Sequence, residues 1–146
     1  MGLYRFEKNI ENLDKKYSYF AIFLGDSFSN DKINVNNTVF ITIETMELIE
    51  DILTSINKNY DHYGVTKYNK DQTERFAYLL KQRVIEIEND DLKIINNDVF
   101  SKNWEDILIY NYKNNKNKII KIFKDILDWL NNIEIEIMEV VMILEE

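Results

Sequence analysis

The sequence predicts an α+β fold: a small antiparallel sheet, an N-terminal hairpin plus a C-terminal strand, packed against about four to five helices. Three observations predict it. Tyr17 to Leu24 and Ile33 to Ile43 are rich in aromatic and β-branched residues, and the polar stretch Asp26 to Lys32 joins them. Further on, apolar side chains recur at steps of three and four, as on one face of a helix. Ile133, Ile135 and Ile137 then alternate with Glu134 and Glu136, as in a half-buried strand.

The elements follow in order. Leu3, Phe6, Ile10 and Leu13 fit a short N-terminal amphipathic helix. The strand Tyr17–Leu24 ends at the turn signal Gly25-Asp26, and Val35, Val39, Ile41 and Ile43 mark the second strand of the hairpin. A helix then carries Leu48, Ile49, Ile52, Leu53 and Ile56 on one face. Glu44, Glu47, Glu50 and Asp51 lie in its early turns, where the helix dipole favours acid. Asn57-Lys58-Asn59 ends it, and residues 60–68 read as an aromatic loop. Asp71-Gln72-Thr73-Glu74 resembles a capping box opening a helix with the face Phe76, Leu79, Leu80, Val84 and Ile87. Leu92–Ile95 reads as a short strand. Asp98 or Ser101 would cap a helix bearing Trp104, Ile107, Leu108 and Asn111. After Asn114-Asn115 comes a helix with Ile119, Ile122, Phe123, Ile126, Leu127 and Leu130, stopped by Asn131-Asn132. The tail from Ile133 to Glu146 fits either period. Its β-branched content and the preceding turn favour a strand beside the hairpin.

The chain has 146 residues and a net charge of -8, with one histidine, three glycines and neither cysteine nor proline. That length suits one domain, residues 1–146. Without cysteine there is no disulfide, thiolate nucleophile or zinc–thiolate site. Gly2, Gly25 and Gly64 are too far apart for a dinucleotide or phosphate loop. His62 has no second histidine to share a metal, and no serine sits in a nucleophile elbow. The carboxylates read as solvated faces rather than acid–base pairs or cation sites. The expectation is a non-enzyme with no cofactor and no metal. Acidic interruptions near the N-terminus remove any signal-peptide core, and no apolar run reaches membrane-spanning length. A cytoplasmic protein without membrane contact is expected. The acid excess also argues against nucleic acid. Lys113, Lys116, Lys118, Lys121 and Lys124 are the local exception, read as a helix entrance and its solvated face.

The acid is spread along the chain: 6 basic and 9 acidic side chains in 1–60, 7 and 10 in 61–112, 5 and 7 in 113–146. Tyrosine offers large contact area at low rotamer entropy, and acid around it steers a basic partner. The candidate partner-binding set is therefore Tyr60, Asp61, His62, Tyr63 and Tyr68, with Asp71 and Glu74 at the start of the next helix. Asp26, Asp31, Glu105 and Asp106 are second choices. Taken singly, each tyrosine is equally well read as a half-buried packing residue.

Tyr17-Ser18-Tyr19-Phe20, then Val39 to Ile43 running into Glu44-Thr45-Met46-Glu47-Leu48, then Tyr60-Asp61-His62-Tyr63-Gly64-Val65-Thr66, together resemble a known group. It is the small immunity proteins of bacterial polymorphic-toxin systems, including those of contact-dependent growth inhibition. Ile126-Leu127-Asp128-Trp129-Leu130-Asn131-Asn132 adds to the likeness, which spans most of the chain without a fixed motif. The resemblance implies a non-enzymatic protein that binds a cognate toxin and masks its active site. A nuclease toxin needs a basic cleft, which an acidic inhibitor complements. The alternatives are an anti-defence inhibitor of phage or mobile-element origin, and a small carboxylate-dependent enzyme.

Overall fold

The computed structural model describes residues 4–13, 18–91, 110, 113–132 and 137–143. Among these residues five strands form one sheet: β1 (Phe6–Glu7), β2 (Tyr19–Leu24), β3 (Thr38–Thr42), β4 (Val65–Tyr68) and β5 (Met138–Ile143). Their spatial order is β1-β3-β2-β5-β4, and every neighbouring pair is antiparallel. Among the described residues four α-helices with given bounds accompany it: α1 (Ile43–Glu47), α2 (Glu50–Ile56), α3 (Lys70–Glu88) and α4 (Lys116–Asn131). The fold is α+β, as the sequence pattern predicts.

Period decides what is buried. On one sheet face Phe20, Ile22, Leu24, Val39, Ile41, Met138 and Val140 meet the helices. From α3 come Phe76, Leu80, Val84 and Ile87, at the spacing of a single helical stripe, and from α4 Ile119, Ile122, Phe123, Ile126 and Leu130. Each such side chain contributes on the order of 1.5–3 kcal/mol when taken from water. The opposite face is covered more thinly. Ala21, Phe40 and Val141 are buried there beneath Leu13, Phe28, Ile33 and Ile143. Glu139 is buried too, and its carboxylate accepts the Phe28 backbone N–H at 3.2 Å.

Several elements differ from the sequence pattern, each for a local reason. The N-terminal amphipathic helix is replaced by β1, which pairs Phe6 with Ile41 and Glu7 with Phe40. Among the described residues of this stretch only Ile10–Asn12 makes a helical turn, of the 3-10 kind. The edge of β3 offers Phe6 and its backbone partners that an isolated short helix lacks.

The second hairpin strand begins at Thr38, not Ile33. The Asn34 side chain accepts from the backbone N–H of Asn36 and of Asn37, at 2.9 and 3.0 Å, holding a turn that competes with the strand. Ile43 already belongs to α1.

The helix expected over 44–56 is broken at Leu48–Ile49 into α1 and α2. The break lets Thr45 and Met46 be buried as well as Ile52 and Leu53. The aromatic loop ends earlier than expected, because Val65–Tyr68 forms β4. The capping box lies two residues upstream of Asp71 and Glu74. Asn69 Oδ1 accepts from Gln72 N at 2.8 Å, and Gln72 Oε1 accepts from Asn69 N at 2.9 Å. The C-terminal strand does lie beside the hairpin, at Met138–Ile143. The Ile133–Glu136 alternation, the strand at 92–95 and the helix bearing Trp104, Ile107 and Leu108 fall outside the described residues. Tyr110 is helical and exposed.

Among the described residues no helix is long and apolar enough to cross a membrane.

Candidate interaction site

The corner between α1 and α2 organises the site. Arg83, 3% exposed on α3, reaches into it. Its guanidinium donates to both Asp51 carboxylate oxygens, at 2.8 and 2.7 Å, and to the Leu48 carbonyl at 2.7 Å. This fork holds the last turn of α1 and the first turn of α2 together, and Asp51 is committed to the interior.

Its neighbour Glu50 is committed elsewhere. Glu50 is 6% exposed, and its Oε2 accepts from the Tyr60 hydroxyl at 2.6 Å and from His62 Nδ1 at 2.5 Å. A carboxylate only accepts, so the ring proton facing Glu50 sits on Nδ1. Among the described residues His62 Nε2 has no hydrogen-bond partner, and the side chain is 29% exposed. Phe20 and Tyr63 meet the imidazole edge-on, with centroids at 5.2 and 4.7 Å.

The loop beyond is tightly tied. Asp61 N donates to Thr66 Oγ1 at 2.9 Å, and Asp61 Oδ1 accepts from Tyr63 N at 3.0 Å, an Asx turn. Gly64 N donates to the Asp61 carbonyl, and the Gly64 carbonyl accepts from Met142 N of β5. A Cβ at Gly64 would collide with the Asp61 carboxylate. Tyr63 at the tip of this turn is 78% exposed, and Val65 beside it 56%.

Electrostatics here are acidic. Glu47 of α1 has its carboxyl held above the ordinary glutamate range, first by burial, then by Glu44 and Glu50, with His62 opposing. Burial, followed by Glu50, also pushes the Tyr60 and Tyr68 hydroxyls upward, so both stay protonated donors.

The seven residues singled out in the sequence divide accordingly. Tyr60, His62 and Tyr63 come together, the first two through Glu50. Asp61 shapes the turn that presents Tyr63. Tyr68 is completely buried, with its hydroxyl donating to the Leu53 carbonyl at 3.0 Å, so it belongs to the core rather than to a contact surface. Asp71 and Glu74 are exposed on the first turns of α3, with no hydrogen bond or ion pair to the Glu50 cluster among the described residues. Of the second choices, Asp26 is paired with Lys67 and Asp31 is exposed. Glu105 and Asp106 lie outside the described residues. Asp26 is held below, and Lys67 above, its ordinary range, mainly by the hydrogen bond between them.

Glu47, Glu50 and Phe20 are the members that sequence reasoning missed. Glu44, Glu47 and Glu50 recur every three residues, and that one-faced spacing is the signal available for the first two.

Three of the five lysines in the lysine-rich stretch meet carboxylates of this chain, while Lys113 and Lys118 are exposed. Lys116 meets Asp90 at 3.0 Å, Lys121 meets Asp125 at 2.9 Å and Lys124 meets Glu88 at 3.5 Å. Among the described residues no group of three or more His, Cys, Asp or Glu side chains is placed to hold a metal ion. No family model, no curated protein and no solved structure matches the chain.

Proposed function

We propose that this protein is an immunity protein that binds a cognate toxin domain, of nuclease type, through the surface around Tyr63 and masks its active site. The observation that carries the reading is an aromatic side chain, 78% exposed, at the tip of a turn fixed by backbone, side-chain and inter-strand hydrogen bonds. An anchor fixed before binding loses little entropy on association. The acidic corner of Glu44, Glu47 and Glu50 behind it favours a basic partner, as does the net charge of -8.

The test is co-expression with the product of the adjacent open reading frame, followed by affinity capture and titration. The expected result is growth protection and a stoichiometric complex. Tyr63→Ala should weaken that complex by about 30-fold, the scale of a central aromatic anchor. A non-toxic neighbour, or unchanged affinity in Tyr63→Ala, overturns the reading.

A further inference from the structure

The Glu50–His62 hydrogen bond does more than fix the loop. It commits Nδ1 to the buried carboxylate, so in the neutral ring the free lone pair lies on Nε2. Beside that imidazole stands Tyr63, exposed enough to leave a ring face open. An arginine side chain suits this pairing chemically. Its guanidinium stacks on aromatic faces, and an N–H can donate to an imidazole lone pair. The surrounding charge points the same way. Glu47 and Glu44 come from α1, Glu50 and the Tyr60 hydroxyl lie behind the ring, Asp61 precedes it, and β2 contributes the uncharged Phe20.

We propose that His62 and Tyr63 receive an arginine of a basic protein segment, and that its binding is coupled to loss of a proton from His62. The imidazolium would turn Nε2 into a donor and set a positive charge against the guanidinium. The neutral ring accepts it. This deepens the reading of the preceding subsection and rests on it for the location of the surface, not for the partner's identity.

The experiment uses the full chain, isotope-labelled, with the peptide Arg-Gly-Arg-Gly-Arg as probe. Titrations run between about pH 5.5 and 8, spanning the range in which histidine changes charge. The expected shifts centre on His62 and Tyr63, and affinity rises with pH across that range. His62→Gln should leave only the shallower dependence that comes from the carboxylates. Tyr63→Ala should lose affinity yet keep the His62-dependent slope. A lysine analogue of the peptide should bind more weakly.

Shifts spread over the acidic surface, or the same pH profile in His62→Gln, would overturn the proposal. Thermal melts of each variant separate loss of binding from loss of fold, and Tyr63→Ala, at an exposed position, gives a second reading if His62→Gln unfolds. A localised, proton-linked peptide site in a protein without a toxin partner would sink the immunity reading and leave this inference standing.

Discussion

Glu47 carries a charge that its surroundings oppose. Its carboxyl is held above the ordinary glutamate range by burial and by the neighbouring Glu44 and Glu50. The folded state therefore binds a proton more tightly than the unfolded chain does. Stability from this group is fully present below the unfolded value near 4.5 and is lost as pH rises through the folded one. Glu47→Gln should accordingly raise the melting temperature at neutral pH, and the gain should vanish as pH falls below that range. The same variant should weaken binding to a basic partner, so melts and titrations would move in opposite directions. Asp51 behaves differently. Its carboxylate is completely buried and shared in a fork with Arg83. Asp51→Ala leaves a buried guanidinium short of its main partner, with an expected cost of about 3–5 kcal/mol by denaturant titration. Replacing both Asp51 and Arg83 by apolar residues of similar size should cost less than that single change.

At the scale of elements, how legible each was depended on whether its partners were local. β2, α3 and α4 carry their own period, and Phe76, Leu80, Val84 and Ile87 are the buried stripe that spacing alone marks. The α1–α2 break was not legible, because the Arg83 that ties its two sides lies more than thirty residues away in sequence. β1 and β4 are short edge strands whose conformation is imposed by β3 and β5. The candidate site was half legible for the same reason. Its aromatic loop stands out in the sequence, whereas Glu50, which gathers Tyr60 and His62, looks like any acid in a first helical turn. Tyr68 shares its neighbours' composition, but strand alternation turns it inward. The loop itself is a testable element. In Gly64→Ala the new methyl must displace the Asp61 carboxylate. Partner affinity should fall while the melting temperature drops only modestly. Nuclear magnetic resonance shifts confined to residues 60–66 would check it.

The whole molecule has its acid spread over all three segments of the chain. In the proposed complex, long-range attraction to a basic partner would thus be a property of the entire surface, and contact specificity a property of the Tyr63 corner. Reversing Asp71 and Glu74 together, both exposed and outside the Tyr63 turn, changes the net charge from -8 to about -4. Stopped-flow measurements at low salt should show slower association, with the difference shrinking as salt is raised. An association rate that does not change would show that these two positions lie away from the approach path.

The sheet order also bears on how the protein is made. β5, the last described strand in sequence, sits between β2 and β4 and supplies the Met142 N–H that anchors the Gly64 carbonyl. While a ribosome is still translating the preceding residues, β2 has an open edge and β4 has no neighbour. The Tyr63 turn lacks its inter-strand tie until residues 138–143 leave the exit tunnel. A nascent chain is therefore not yet a finished sheet, and its unpaired β2 edge is the stretch most in need of shielding by chaperones during synthesis.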